Sequence, residues 1–174
     1  MPSAESRGPT DPIADALAEN ERYAREFTLD KRDLPAPPRK RLAIVSCMDA
    51  RIRVHAILGL EEGDAHVIRN AGGVVTDDTI RSLAISQRRL DTRAVMVVQH
   101  TRCGMQGLDE SEFVDELRSD AGRAPEWDVG AFDQLEESVR DGVRRIASSE
   151  FIPFTDDVRG FVYDVESGRL SEVR

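Results

Sequence analysis

Three residues of this 174-residue sequence could together hold a metal: Cys47, His100 and Cys103. Zinc favours tetrahedral sulfur and nitrogen ligands, and three protein ligands leave a fourth position open for chemistry. The His-x-x-Cys spacing puts His100 and Cys103 on one tight turn, so Cys47 must arrive from elsewhere. These are the only two cysteines. Their plain alternative is a pair of core residues, and their spacing is not the Cys-x-x-Cys of a redox pair.

Asp49 and Arg51 form a second pair, two residues beyond Cys47. A guanidinium fork matches a carboxylate in two places. Arg51 would then keep Asp49 ionised and oriented. Asp49 could accept a hydrogen bond from a metal-bound hydroxide or take the fourth metal position itself. A surface ion pair of little consequence is the plain alternative.

Both segments follow short apolar runs, Leu42–Ser46 and Ala94–Val98. Such runs, bounded by polar residues, suit buried parallel strands. Open α/β sheets build sites beyond the carboxyl ends of neighbouring strands. If these two strands are neighbours, Cys47, His100 and Cys103 converge in one crevice.

Further strands are expected at 65–69, 161–165 and 169–173. Helices are expected at about 12–30, 51–58, from Thr76 or Asp77 to Leu90, 109–119 and 129–148. Phe132, Leu135, Val139 and Ile146 share a face in the last of these. The resulting fold class is α/β: a mostly parallel central sheet of four strands with an antiparallel edge strand, helices on both faces and an N-terminal helical arm. Residues 1–40 form that arm, with its helix at about 12–30 and a proline-rich linker at 34–38. Residues 41–174 form the α/β domain. Residues 1–10 are expected to be disordered. Tyr23, Phe27 and Trp127 are assigned to packing.

The net charge of −9 argues against nucleic acid as a partner. No apolar run reaches the roughly 18–20 residues of a membrane span, and the polar N-terminus lacks a signal-peptide pattern. A cytoplasmic location is expected, where cysteines stay reduced.

Cys47-Met48-Asp49-Ala50-Arg51 resembles the Cys-x-Asp-Ser/Ala-Arg motif of β-class carbonic anhydrases. Arg69-Asn70-Ala71-Gly72-Gly73 resembles the segment after that family's second strand, and His100-Thr101-Arg102-Cys103-Gly104 resembles its His-x-x-Cys-Gly motif. The short length is similar to the compact branch of the family. The resemblance implies one Zn²⁺ per chain on Cys47, His100 and Cys103, with Asp49 and Arg51 as the catalytic dyad. Gly72, Gly73 and Gly104 would approach the substrate. It implies a homodimer or dimer of dimers in which the N-terminal helix packs across the partner subunit. It also implies reversible hydration of carbon dioxide to bicarbonate and a proton, with zinc-bound hydroxide as the nucleophile.

Two positions depart from the pattern. Arg102 stands where compact relatives carry Asp, and Gln99 where many carry Gly or His. A carbonyl sulfide or carbon disulfide hydrolase on the same scaffold is the alternative function, followed by a non-catalytic zinc-binding protein. His55 and His66 are the remaining histidines and the only imidazole candidates for a proton shuttle.

Overall fold

Consecutive apolar residues in the two central strands leave no polar face, so both sides of the sheet must be covered. The computed structural model, which describes residues 11–174, shows this arrangement. The expectation for residues 1–10 lies outside the described residues. The chain divides into two compact units, Met1–Leu34 and Pro35–Arg174.

In the first unit, helix α1 spans Pro12–Arg25 and a single turn, α2, spans Leu29–Arg32. Asp11 caps α1 by accepting the amides of Ile13 and Ala14 at 3.0 and 3.2 Å, with proline at the first helical position. The helix stops at a C-cap on Glu26 instead of continuing to residue 30. None of its residues is buried, and Ile13 and Leu17 are 71% and 62% exposed. Tyr23 and Phe27, assigned to packing, are about half-exposed and lie against each other with ring centroids 5.7 Å apart.

The second unit contains five strands: β1 (Leu42–Cys47), β2 (Ala65–Asn70), β3 (Ala94–His100), β4 (Val158–Tyr163) and β5 (Leu170–Val173). Their spatial order is β2-β1-β3-β4-β5. The first four are parallel and β5 returns antiparallel to β4, as the sequence pattern implied. The connecting helices are α3 (Val54–Leu58), α4 (Asp77–Leu90), α5 (Glu110–Ala121) and α6 (Leu135–Ala147).

On one face, Ala43, Val45, Val95 and Val97 pack against Leu83 of α4 and Ile146 of α6. On the other, Ile44 and Val98 pack with Ile52, Val54 and the partly buried Ile57 and Leu58 around α3. Leu83 and Ile146 are fully buried, a setting in which truncation to alanine costs about 2–5 kcal/mol.

Three further boundaries differ from expectation. Helix α3 begins at Val54, not near residue 51, because the Asp49–Ile52 segment is taken up in a turn closed by Ile52 N–H to Asp49 O. Helix α6 begins at Leu135, not 129, because Phe132 instead bridges Gln106. Phe132 therefore does not belong to the helical face of Val139 and Ile146. Strand β4 starts at Val158 and runs through Gly160, where a Cβ would lie 2.4 Å from Val139 Cγ1. Trp127, in the α5–α6 connection, is 60% exposed and does not pack it.

Candidate metal centre

Strand β1 pairs with β2 on one side and β3 on the other, so the chain changes direction between β1 and β3. Ligands gather at such a switch point. Cys47 ends β1 and His100 ends β3. Cys103 follows on a turn whose backbone is shaped by Arg102 in the left-handed region, φ 56°. Cys47, His100 and Cys103 are all buried, and their ligand atoms lie within 4.8 Å of one another.

This donor set fits zinc. The two Sγ atoms are 3.9 Å apart; two sulfurs about 2.3 Å from a tetrahedral zinc would be roughly 3.8 Å apart. His100 Nδ1 lies 2.9 Å from the Thr101 carbonyl oxygen. A carbonyl only accepts, so Nδ1 carries the proton and Nε2 presents its lone pair. That Nε2 is buried with no hydrogen-bond partner among the described residues, an arrangement that is costly without a ligand. Burial pushes the Cys103 thiol up, opposed by the Met105 amide and reinforced by the neighbouring Cys47. A cation held at the trio would offset that cost.

The Asp49–Arg51 pair is bidentate. Arg51 Nε donates to Asp49 Oδ1 at 2.9 Å and Nη2 donates to Oδ2 at 2.7 Å, while the Arg51 amide adds a third bond to Oδ1. The Arg51 side-chain bond holds the Asp49 carboxyl well below the usual carboxylate range, against the opposing effect of burial. Asp49 Oδ2 is also 3.8 Å from His100 Nε2, so the carboxylate borders the ligand trio. The Asp49 amide lies 3.4 Å from Cys47 Sγ and can support a thiolate there.

Arg51 Nη2 further donates to the carbonyl of Arg102 at 2.9 Å. Arg69, which carried no role in the sequence reading, donates to the Cys47 and Asp49 carbonyls at 2.9 and 2.8 Å. Its only signal was its place at the head of the Arg69–Gly73 motif. Gly73 has φ 65°, and a Cβ there would lie 2.8 Å from the Cys47 nitrogen. The glycine therefore permits the 71–73 turn to rest directly on the end of β1. Gly72 is buried beside it, whereas Gly104 is exposed.

The two departures from the motif pattern have clear surroundings. Gln99 is fully buried and donates through Nε2 to the Gly72 carbonyl and to Ser138 Oγ, both at 3.0 Å. Arg102 points its side chain to Glu166, 2.7 Å away. His66 has both ring nitrogens engaged, by Ser86 Oγ at 2.7 Å and the Ala36 carbonyl at 3.2 Å. It pairs with Ala43, four residues before Cys47. His55 is exposed on α3.

A family profile described as carbonic anhydrase matches residues 42–170. The chain is 48% identical to β-carbonic anhydrase 1 of Mycobacterium tuberculosis over 159 residues, covering 91% of this chain and 96% of that one. The chain belongs to the β-carbonic anhydrase family. A crystal structure of carbonic anhydrase from Streptococcus mutans superposes with a TM-score of 0.86 at 40% identity, covering 96% of this chain and all of the other. A carbon disulfide hydrolase of Acidithiobacillus thiooxidans is 31% identical over 161 residues, covering 80% of each chain. This β-carbonic anhydrase relative thus shares its scaffold with proteins named for two different substrates.

Proposed function

We propose that the protein catalyses the reversible hydration of carbon dioxide to bicarbonate and a proton, with one zinc per chain on Cys47, His100 and Cys103. The observation that carries this reading is the buried ligand trio, within 4.8 Å, bordered by an ionised Asp49. Zinc bound there would supply a Lewis acid that lowers the pKa of a coordinated water and makes it a nucleophile.

The chain's own residues supply orientation. An ionised carboxylate accepts hydrogen bonds and cannot donate them. Asp49 Oδ2 therefore turns an O–H of the attacking water toward itself and leaves an oxygen lone pair for the carbon of the substrate. Arg51 fixes that carboxylate in two places and keeps it from taking the proton, since its pKa is too low for a general base near neutrality. Gly104, exposed directly after Cys103, leaves room for a small linear molecule, Gly73 braces the end of β1, and Gly72 packs beside Met105 and Phe132.

Stopped-flow measurement of carbon dioxide hydration by zinc-loaded protein at pH 8.5 tests the reading, with Cys103→Ser as control. Rapid hydration abolished by the substitution is the expected result. The 31% identity to carbon disulfide hydrolase favours one second reading. Hydrogen sulfide release from carbon disulfide, with no carbon dioxide hydration, would replace the first assignment with that one.

We further place the protein in the cytoplasm as a homodimer or a dimer of dimers. No described helix is long and apolar enough to cross a membrane, and both thiols are free. The exposed Ile13 and Leu17 of α1 are a stripe suited to a second copy. Light scattering of the wild type against Ile13→Asp/Leu17→Asp tests this; an unchanged mass would reject the helix as an interface.

A further inference from the structure

We propose that Asp164, at the turn between β4 and β5, is a positioning residue of the metal centre and acts through Thr101. The proposal rests on the zinc-site reading above.

Thr101 sits between His100 and the Arg102–Cys103 turn, and three bonds tie it to the end of β4. Its amide donates to the Tyr163 carbonyl at 3.0 Å. Its hydroxyl donates to Asp164 Oδ1 at 3.2 Å and accepts the Val165 amide at 3.1 Å. The hydroxyl hydrogen and one lone pair are thereby committed, which fixes the orientation of the Thr101 side chain. Both carbonyls that follow serve the site. Thr101 O accepts from His100 Nδ1 at 2.9 Å and so sets the tautomer that frees Nε2. Arg102 O accepts from Arg51 Nη2 at 2.9 Å. A rotation of the Thr101–Arg102 peptide would disturb a metal ligand and the Asp49–Arg51 pair together.

Asp164 is itself braced. Its Oδ1 accepts the Glu166 amide at 3.0 Å, its Oδ2 accepts Ser167 Oγ at 2.7 Å, and its own amide donates to the Arg169 carbonyl at 2.8 Å. The Arg102–Glu166 ion pair adds a second, exposed link between the same two turns. The Glu166 and Ser167 bonds would by themselves shape a tight turn. The additional bond to Thr101, 63 residues away in sequence, connects that turn to the metal centre.

Thr101→Val removes the hydroxyl at nearly constant shape, Thr101→Ser retains it, and Asp164→Ala removes its acceptor. Zinc affinity by chelator competition, the absorption bands of the cobalt(II)-loaded protein and thermal melting of the zinc-loaded protein are the readouts. Outer groups that orient metal ligands contribute roughly 10–100-fold in affinity. Thr101→Val and Asp164→Ala should each weaken zinc binding about tenfold and shift the cobalt bands. The losses in the double variant should fall short of the sum of the two single losses, since both changes break the shared Thr101–Asp164 bond, and Thr101→Ser should restore the wild-type spectrum. Wild-type affinity and cobalt bands in Thr101→Val overturn the role. If Thr101→Val does not fold, the same wild-type behaviour in Asp164→Ala overturns it. Wild-type protein that takes up neither metal overturns the zinc-site reading itself, and this role with it.

Discussion

Arg51 reaches from one ligand loop to the other, donating through the same Nη2 to Asp49 Oδ2 and to the carbonyl of Arg102. One guanidinium therefore orients the carboxylate beside the metal trio and fastens the turn that carries Cys103. Lysine has the charge but not the planar fork. Arg51→Lys should lower carbon dioxide hydration at least about tenfold while retaining zinc, the loss of one charge-assisted bond of about 1.5–3 kcal/mol. Stopped-flow rates beside metal content check this, and full activity would remove Arg51 from the mechanism.

Asp49→Asn makes a sharper test of the carboxylate. An amide turned toward the attacking water can present a donor where the carboxylate only accepts. Loss of a fixed electrostatic partner of this kind costs about 100-fold or more in kcat. The expected result is a kcat reduced by that order with zinc still bound. A variant impaired only in KM would show that Asp49 serves binding and not orientation.

Acid sensitivity should be detectable well away from the metal. The buried Asp64 accepts the Glu61 amide at 3.0 Å and Arg39 Nε at 2.9 Å. The Glu61 bond, against burial and with help from Arg39, lowers its pKa. A carboxyl whose folded value lies below its unfolded one, about 3.9, stabilises the fold above that unfolded value and ceases to do so as pH falls through the folded one. Wild type should melt higher than Asp64→Asn at pH 7, and the gap should narrow below about pH 4. A gap unchanged down to pH 3 would contradict the assignment.

Gly73 provides the test of the packing beneath the site. Alanine there would adopt φ 65° and push its Cβ to within 2.8 Å of the Cys47 nitrogen. Left-handed strain alone costs about 1–3 kcal/mol, and the neighbouring atoms are backbone, which cannot swing aside. Gly73→Ala should lose at least that much stability in urea and bind zinc more weakly. Wild-type behaviour in both would mean that the turn relaxes freely.

The ligand trio and its two strands were legible in the sequence because each depends on adjacent residues: an apolar run, then a short polar motif. Four parallel strands with an antiparallel edge strand followed from the same runs, whereas their spatial order came from the structure. Tertiary contacts set what was not legible. The fourth strand was expected from residue 161, yet β4 starts at Val158 and runs through Gly160, where Val139 fills the space a side chain would need. The start of α6 was misplaced because Phe132 bridges Gln106, a contact 26 residues apart that no helical periodicity reveals. Arg69 donates to a backbone carbonyl of one ligand loop and Asp164 accepts from the Thr101 hydroxyl of the other, across sequence gaps of 22 and 63 residues. Their residue types alone carry no sign of those partners.

Cys47 and Cys103 stand 56 residues apart in the chain and 3.9 Å apart in space. A metal gripping both sulfurs ties off that span as a covalent bridge would. By the loop-closure relation for cross-links, a tie of this length removes about 4 kcal/mol of freedom from the unfolded chain. Unlike a disulfide, such a tie forms with both thiols reduced and is undone by a chelator, so zinc supply would govern how long the molecule survives as well as whether it works.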